Sequence, residues 1–370
     1  MGAGPAGSVT AYRLSRAGAR VLLIDKKRFP RDKPCGGGLT LRAVKELPFS
    51  VEPVVEDVVT HVECRLRYGR SFERGGRELC LMTQRIRLDQ FLVEQAVAAG
   101  TEFRDGVQLD VHSPPAPIVV GADGANGATA RELGLGGEIV TGVALEGNVS
   151  HARVNKKRYA GRMVLELGVV PGGYGWIFPK GDHVNVGVGG WASVGPRVRD
   201  ELRVLCEQHG IDPADVKDIR GHRLPMRKPG TRLARGNALL VGDAAGLVDP
   251  VSGDGIYEAF VSARLASGAI VDVLEGKAVN VESYEAELRR ALDPIAAGGW
   301  GAKVALERFP RAVFALMRLP VTWRALEKIL VGELSAPSAA RGAERRALKL
   351  VELFARRAGD PGRAYRTVAA

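Results

Sequence analysis

The chain opens with Met1-Gly2-Ala3-Gly4-Pro5-Ala6-Gly7, and this glycine-rich stretch decides the fold. Residues 8–18 have the pattern of a helix, and residues 20–25 form an apolar run that ends at Asp25 and is typical of a buried strand. A glycine loop that opens a helix and is followed by a strand with a terminal acid indicates a dinucleotide-binding Rossmann unit. The alternative is a glycine-rich turn that binds nothing.

Each glycine of this loop has its own physical task. Gly2 permits the tight turn, Gly4 lets the backbone approach a pyrophosphate, and Gly7 lets the helix pack closely on the sheet. The amides at the helix start then face the phosphates. Asp25 stands near the offset at which an acid binds a ribose hydroxyl. The residues predicted to bind the dinucleotide here are Gly2, Gly4, Pro5, Ala6, Gly7, Asp25 and Lys26.

One element of the Rossmann unit is not visible in the sequence. Such a unit has a further strand before its glycine loop. Met1 stands where the last residue of that strand would be, so we expect the first Rossmann strand to be missing. Its absence would weaken the fold around the site without removing any of the residues named above.

Length and composition bound the class of protein. A chain of 370 residues predicts two interlocked domains and a tail, and 45% hydrophobic with 26% charged residues is ordinary for a globular protein. Since no run of about 18 uncharged apolar residues occurs, a transmembrane helix is not predicted. The four cysteines are scattered without metal-ligand spacing, which favours a cytoplasmic protein without a metal site.

The net charge of +11 admits several kinds of anionic partner. No nucleic-acid-binding module is recognisable, so no nucleic-acid partner is predicted. Basic residues concentrate in residues 341–366, beside Leu350, Val351, Leu353 and Phe354. One hypothesis is that this region makes a peripheral contact with an anionic membrane. The alternative is an ordinary amphipathic helix packed on the body of the protein.

Two later motifs each place an aspartate at the end of a buried strand. Residues 118–120 lead into Gly121-Ala122-Asp123-Gly124, and residues 237–241 lead into Gly242-Asp243. Asp249-Pro250 and Gly253-Asp254-Gly255-Ile256 follow, at the start of a helix predicted over residues 255–273. A carboxylate at a strand end can accept bonds from ribityl hydroxyls, and a helix start can stabilise negative charge on a reduced flavin. The residues predicted to bind flavin here are Asp123, Gly242, Asp243, Pro250, Gly253, Gly255 and Ile256.

The glycine fingerprint, the Asp-Gly motif and the Gly-Asp motif, in this order, resemble the FAD-dependent superfamily that includes aromatic hydroxylases and geranylgeranyl reductases. The resemblance implies FAD as cofactor and a contact of Asp243 with the ribityl chain. It also implies that Arg85, before the helix predicted over residues 88–99, contacts FAD, with Arg87 as a rival.

The predicted fold is α/β, with a Rossmann-type FAD-binding domain interlocked with an antiparallel-sheet substrate domain and a helical C-terminal region. We assign residues 1–50, 85–135 and 235–275 to the first, residues 51–84 and 136–234 to the second, and residues 276–370 to the third. Residues 139–192 alternate apolar and polar with many glycines, as an antiparallel sheet does. From residue 281 the pattern is helical, with breaks predicted at Pro294, Pro310, Pro320 and Pro337.

Two segments resemble the geranylgeranyl reductase branch in particular. Lys33-Pro34-Cys35-Gly36-Gly37-Gly38-Leu39 is similar to that family's Cys-Gly-Gly loop, which implies that Cys35, Gly36 and Gly37 lie beside the flavin ring. The Cys35 thiol is the candidate catalytic group, as proton donor; the alternative is a small buried residue. Glycine at these positions would let the backbone pass close to the ring.

The second segment is Tyr174-Gly175-Trp176-Ile177-Phe178-Pro179-Lys180-Gly181, followed by Asn185-Val186-Gly187-Val188-Gly189. It resembles the family's Tyr-x-Trp-x-Phe-Pro segment, which implies that Tyr174, Trp176, Phe178 and Pro179 line the substrate cavity. The alternative is that the alternating aromatics form one face of a sheet core.

These features predict an FAD-dependent reductase that saturates C=C bonds of an isoprenoid chain by hydride transfer from reduced flavin. The chain could belong to a geranylgeranyl group, a prenylated lipid or a menaquinone tail. Because no second nucleotide fingerprint is visible, the electron donor is NAD(P)H or a reduced carrier. The alternatives are an FAD-dependent monooxygenase or halogenase, and a truncated flavoprotein with a degenerate site.

Overall fold

The computed structural model describes residues 1–362, which form a mixed α/β fold. The strands are β1 (Leu22–Asp25), β2 (Gly38–Thr40), β3 (Asp57–Leu66), β4 (Ser71–Met82), β5 (Glu102–Asp105), β6 (Val119–Gly121), β7 (Ile139–Ser150), β8 (Arg162–Leu167), β9 (Tyr174–Pro179), β10 (His183–Trp191), β11 (Lys217–Arg227), β12 (Ala234–Arg235) and β13 (Ala238–Leu240). The helices are α1 (Pro5–Arg16), α2 (Leu41–Val44), α3 (Arg85–Ala98), α4 (Thr129–Glu132), α5 (Lys156–Tyr159), α6 (Val198–Gln208), α7 (Ile256–Leu274), α8 (Ser283–Arg308), α9 (Pro310–Met317), α10 (Pro320–Leu330) and α11 (Gly342–Arg357).

Two small sheets carry the glycine fingerprint. β1 pairs in parallel with β5, and β13 pairs in parallel with β6 and antiparallel with β12. Met1 and Gly2 lie between the two sheets: the Met1 nitrogen donates to Val120 O (2.8 Å), its carbonyl accepts from Ala122 N (2.8 Å), and Gly2 N donates to Ile24 O (2.7 Å). Within residues 1–362, Met1 and Gly2 alone occupy the place between β1 and β6.

α1 forms where the glycine fingerprint meets an apolar sequence. Pro5 occupies its first turn, where a residue without an amide hydrogen costs nothing. The helix packs against α3 and α7, and its buried Val9 and Leu14 join the cores on these two sides. This packing fixes the helix start next to the ends of β1 and β6, so that both strands deliver their terminal residues to one place.

A larger sheet holds eight strands in the order β11-β7-β10-β9-β8-β3-β4-β2. Its neighbours are antiparallel, as predicted for residues 139–192, except for the parallel pair of β3 and β8. The sequence did not predict this parallel pair, because the partners come from segments about a hundred residues apart, and alternation within a strand says nothing about its neighbour's direction.

The large sheet is covered on both faces. On one face, Ile177, Val186 and other buried side chains pack against Leu205 of α6. On the other face, Trp176 and Phe178 belong to a cluster with aromatic residues of α9 and α10. Because side chains alternate along a strand, β9 contributes to both layers, and the second layer brings the C-terminal helices over the aromatic residues.

The C-terminal region is helical, as predicted, but one predicted break is wrong. α8 continues through Pro294, where the preceding Asp293 forms a buried ion pair with Arg227. Tertiary contacts on both sides hold this helix together, which offsets the one backbone hydrogen bond that proline removes. Pro310 and Pro320 stand at the first positions of α9 and α10, and Pro337 begins a 3-10 turn.

The structure also bears on the predicted fold class, the domain boundaries, the basic C-terminal region and the question of a membrane-spanning helix. The fold class is confirmed, whereas the domain boundaries stay a prediction; β2, which we assign to the first domain, pairs with β4 of the large sheet. Residues 363–366 of the predicted basic region lie outside the described residues. None of the helices within residues 1–362 is long and apolar enough to cross a membrane.

Candidate active site

The three fingerprint glycines occupy different surroundings. A Cβ on Gly2, whose φ is +101°, would stand 2.2 Å from Ala122 O, and one on Gly7 would stand 1.9 Å from Gly2 O. Both positions therefore exclude a side chain because the backbone passes too close. A Cβ on Gly4 would instead enter the cavity, with Arg31 Nη2 nearest at 3.5 Å. No side chain caps α1 at Gly4, so its first amides are available to a phosphate.

Asp25 closes the far side of this loop. Its Oδ2 accepts from Ala3 N (2.8 Å) and its Oδ1 from Lys27 N (2.8 Å). Arg31 Nη2 lies 3.6 Å from Oδ2 and its Nη1 donates to Asp89 (2.8 Å). The acid is thus oriented by backbone amides and faces the cavity, which also touches Lys26. Arg31 was not predicted as a site residue; its only signal in the sequence is an arginine that follows Pro30 in the loop after β1.

Arg85 and Arg87 are placed very differently. Arg85 is buried at the start of α3, lines the cavity, and donates from Nε and Nη2 to the two carboxylate oxygens of Asp89 (2.6 and 2.7 Å). Arg87 is exposed and pairs with Glu56 (3.0 Å). The geometry favours Arg85 for the cofactor contact. Its guanidinium makes two hydrogen bonds to Asp89 and is therefore held rigidly next to Gly4.

Asp123 follows β6 and has one carboxylate oxygen to spare. Its Oδ2 accepts from the backbone and the hydroxyl of Thr129 (2.9 and 2.7 Å). Its Oδ1 is buried and has no hydrogen-bond partner among residues 1–362, although the residue lines the cavity. A buried acceptor without a donor costs free energy, so this oxygen points to a hydroxyl-bearing ligand.

Asp243, in the Gly-Asp motif, is held by two residues that the sequence analysis did not assign. Lys33 Nζ donates to its Oδ2 (2.9 Å), and His222 Nε2 lies 3.6 Å from the same oxygen. Burial by itself would raise the pKa of Asp243, but Lys33 and His222 outweigh it and the pKa lies well below its usual range. Asp243 is therefore a carboxylate, and it ties the Cys35 loop to the Gly-Asp motif.

The segment between the Gly-Asp motif and α7 forms a closed turn. Asp249 Oδ1 accepts from the backbone and the hydroxyl of Ser252 (2.8 and 2.7 Å), and Asp254 Oδ1 accepts from Ile256 N (2.9 Å). One amide at the start of α7 is thus already occupied, which the sequence did not predict. The predicted cofactor residues of this segment all line the cavity: Gly242, Pro250, Gly253, Gly255 and Ile256.

The Cys35 loop lies on the inner face of the large sheet. Protein side chains occupy the space beside its glycines. A Cβ on Gly36 would stand 2.9 Å from the Phe178 ring, and one on Gly37 would stand 2.0 Å from Lys180 Nζ. Cys35 is half-buried, lines the cavity, and accepts a hydrogen bond at Sγ from Gly37 N (3.3 Å). The predicted reason for these glycines, room for a flavin ring, is therefore incomplete.

The aromatic side chains of β9 line the same cavity. Tyr174 and Trp176 have ring centroids 6.0 Å apart, and Trp176 and Phe178 have theirs 6.1 Å apart. Trp176 Nε1 donates to Asn185 Oδ1 (2.8 Å). Gly187, opposite Trp176 on β10, leaves room for the indole, since a Cβ there would stand 2.1 Å from it. The glycine-containing run of residues 185–189 on β10 therefore makes room for an aromatic side chain of residues 174–181.

All but two of the predicted site residues border one cavity of about 1110 Å³. Of the residues predicted as site residues, Gly7 and Pro179 alone do not line it: Gly7 packs against Gly2, and Pro179 ends β9 as a buried residue. Beyond the aromatic row the walls are mainly apolar and come from the large sheet and from α8–α11; they include Cys64, Met163, Leu165, Leu306, Met317, Trp323, Leu326, Leu348 and Val351. Asp293, Lys303 and Glu352 are charged residues of the same walls. The sequence analysis assigned no site role to the C-terminal helices.

The residues at the polar end fit a flavin dinucleotide. Gly4 leaves an open approach to uncapped helix amides, two arginines stand beside it, and Asp123 has a buried oxygen without a donor. Metal chemistry has no comparable support, since no group of three or more His, Cys, Asp or Glu within residues 1–362 is arranged to hold a metal ion.

Known proteins resemble this chain over most of its length. A model of the NAD(P)-binding Rossmann-like domain matches residues 1–40. The geranylgeranyl diphosphate reductase of Oryza sativa subsp. japonica is 31% identical over 79% of this chain and 69% of its own length. The menaquinone reductase of Mycobacterium tuberculosis is 33% identical over 72% of this chain and 74% of its own length.

Solved structures share the fold. A geranylgeranyl bacteriochlorophyll reductase-like protein from Thermoplasma acidophilum superposes with a TM-score of 0.79 over 97% of each chain, at 22% identity. A flavin-dependent brominase superposes with a TM-score of 0.73 over 96% of this chain and 98% of its own, at 18% identity. At such identities the likeness concerns the fold, which reductases and halogenases therefore share.

Proposed function

Because the chain belongs to the geranylgeranyl reductase family of FAD-dependent oxidoreductases acting on CH–CH groups, we propose that it saturates C=C bonds of an isoprenoid chain bound in this cavity. The observation that carries the proposal is the continuity of the cavity. One end has the uncapped amides next to Gly4, arginines and aspartates. The other end is lined mainly by apolar side chains of the large sheet and of α8–α11. An extended apolar chain fits the second end, where few polar groups would need partners.

FAD, when bound, supplies the hydride chemistry of the reaction. The residues proposed to hold it are Gly2, Gly4, Pro5, Ala6, Gly7, Asp25, Lys26, Cys35, Gly36, Gly37, Arg85, Asp123, Gly242, Asp243, Pro250, Gly253, Gly255 and Ile256. Gly7 acts by letting α1 approach the fingerprint loop. Arg85 and Arg31 balance the phosphate charges, and Asp123 Oδ1 accepts from a hydroxyl group. We propose NAD(P)H or a reduced carrier as the electron donor.

The proposed substrate residues are Tyr174, Trp176, Phe178 and Pro179. The three aromatic rings form a row between the polar and apolar ends of the cavity and exclude water from the reacting bond. Pro179 supports this row from the end of β9. Cys35, whose thiol faces the cavity at the same junction, is the candidate proton donor to the second alkene carbon. The substrate classes that fit are a geranylgeranyl group, a prenylated lipid and a menaquinone tail.

The outer face of α11 suits a peripheral contact of a cytoplasmic protein with an anionic membrane. Leu350 and Leu353 are 45% and 43% exposed there. The exposed basic residues beside them are Arg346, Lys349, Arg356 and Arg357. The two acids of the helix are occupied elsewhere, Glu344 with Lys328 (2.7 Å) and Glu352 with Arg345 (2.5 Å). Val351 on the same helix lines the cavity.

Flotation with vesicles tests this contact. We expect the protein to float with phosphatidylglycerol-containing vesicles and not with pure phosphatidylcholine, and the L350S/L353S variant to lose most of the binding. Equal flotation of this variant would contradict a role for α11.

The reaction itself is tested anaerobically. The flavin-loaded protein is reduced with dithionite and mixed with geranylgeranyl diphosphate or menaquinone. Flavin reoxidation with a mass gain of about two hydrogens per saturated bond, as hydride plus proton transfer requires, supports the proposal. Oxygen-dependent hydroxylation or halogenation would refute it in favour of the monooxygenase class, and a protein that takes up no flavin would indicate a degenerate site.

A further inference from the structure

Lys180 is a buried cation directly behind the Cys35 loop. It follows β9 at the position where the alternation of Tyr174, Trp176 and Phe178 would place the next side chain, and it is 3% exposed. Its ammonium donates to Gly36 O and to Thr83 O (2.6 Å). A buried ammonium is tolerated only with such bonds, and charged donors make stronger ones than neutral donors. Burial lowers the pKa of Lys180. The hydrogen bonds to the two carbonyls stabilise the charged ammonium against this effect.

Glu146, on β7, contacts the Cys35 loop as well. On the large sheet it lies across from Gly187, which in turn lies across from Trp176. The Trp176 indole fills the space beside Gly187, and Glu146 Oε1 accepts a hydrogen bond from Cys35 N (2.7 Å). The carboxyl is 8% exposed, and burial raises its pKa.

The backbone of the loop is thereby held at three successive residues. Cys35 N–H is bound by Glu146, Gly36 O by Lys180, and Gly37 O by Thr83, whose N–H donates at 2.8 Å. The partners are far away in sequence, and two of the three are buried ionisable side chains. So much buried polarity around one short loop indicates that its position matters to the site.

We infer that Lys180 and Glu146 are positioning residues that hold the Cys35–Gly37 segment from two sides and so present the Cys35 thiol to the cavity. The inference rests on the proposed function for the meaning of that position. Glu146 also lines the cavity, whereas Lys180 does not; both act on Cys35 through hydrogen bonds to the loop backbone. A loosened loop would keep its sequence but let the thiol move away from the aromatic row.

The reactivity of the Cys35 thiol measures this position without any catalytic assay. Cys64, Cys80 and Cys206 are buried, so a thiol reagent such as DTNB reaches Cys35 first, and a C35S variant identifies its signal. We expect K180M and E146A to accelerate the modification of Cys35 about tenfold, the scale of losing a charged hydrogen bond. E146Q, which keeps an acceptor oxygen, and K157M, which removes an exposed lysine, should stay within about twofold of the wild type.

Wild-type labelling rates in folded K180M and E146A would overturn the inference, as would equal acceleration in K157M. If K180M does not fold, E146A against E146Q decides, since both retain Lys180. Steady-state kinetics give the second readout: kcat should fall in E146A, with KM little changed, and recover in E146Q. A wild type that reduces no prenyl substrate would refute the proposed function and leave the labelling result intact.

Discussion

The chain has two glycine-rich loops around one cavity, and they need glycine for different reasons. In the fingerprint loop, a Cβ on Gly4 would meet no atom closer than 3.5 Å, so the missing side chain leaves room for the proposed ligand. In the Cys35 loop, the space beside Gly36 and Gly37 is already filled by Phe178 and Lys180. A run of glycines therefore does not by itself indicate a ligand, because a protein side chain can occupy the space equally well.

The largest expected effect separates the structural from the ligand-facing glycines within the fingerprint itself. Gly7→Ala puts a methyl group 1.9 Å from a backbone oxygen, which cannot yield. We expect a loss of about 3 kcal/mol in the free energy of unfolding, measured by urea denaturation, and loss of flavin with it. A G7A protein as stable as the wild type would contradict the close packing of α1.

Gly4→Ala is the matched opposite. Its methyl group would meet nothing closer than 3.5 Å, so the free energy of unfolding should change little. Flavin affinity should fall at least about tenfold, or about 1.4 kcal/mol, because the methyl group stands where a phosphate would approach. Flavin titration followed by absorbance measures this, with urea denaturation as the control. An unchanged affinity would show that the cofactor does not use this opening.

The Cys35 loop should behave differently, because its obstacle is a side chain. Gly36→Ala should cost about 1–2 kcal/mol of stability by crowding the Phe178 ring. In an F178L background most of this cost should vanish, whereas an F72L background, which also shortens a buried aromatic residue, should leave it unchanged. Equal costs in all three backgrounds would mean that Phe178 is not what requires glycine here.

Arg85 and Arg87, both on α3, allow a matched comparison at the polar end of the cavity. Arg85→Lys keeps the charge but cannot engage both oxygens of Asp89, so flavin affinity should fall by about 1 kcal/mol. Arg87→Lys, at an exposed position, should leave it unchanged. Flavin titrations of the two variants compare them directly, and an equal loss in both would make Arg87 a true rival.

The smallest effect concerns the ion pair that joins the Cys35 loop to the Gly-Asp motif. The pKa of Asp243 is depressed in the folded protein, so its pairing with Lys33 stabilises the fold above the unfolded-state pKa of about 4 and is lost as the pH falls below it. We expect the wild type to lose about 1 kcal/mol more than D243N between pH 6 and pH 3. Urea denaturation at both pH values measures the difference, and parallel losses would contradict the pair's contribution.

Motifs with local spacing were predictable from the sequence. The fingerprint, the strand-terminal Asp25 and Asp123, and the helix after Gly255 are confirmed as elements because neighbouring residues alone specify them. The continuous α8 was not predictable, since proline normally interrupts a helix and only the buried pair of Asp293 with Arg227 and the surrounding packing explain its survival.

The side chains that support the site were missed for a common reason. Arg31, Lys33, Glu146 and Lys180 belong to no spacing pattern of their own; each acquires its role from a partner elsewhere in the chain. The Cys35–Glu146 bond spans 111 residues and the Gly36–Lys180 bond spans 144. No periodicity within a window of a strand or helix carries such information.

By itself, the sequence predicted a dinucleotide-binding Rossmann unit, because the chemistry of phosphate and ribose binding is encoded in short, local motifs, and its further motifs resemble those of the geranylgeranyl reductase family. Only the tertiary structure decided that α8–α11 enclose the apolar end of the cavity, and that the glycines of the Cys35 loop make room for Phe178 and Lys180. Those contacts exist only where distant segments pack together, and packing depends on the shape of both partners.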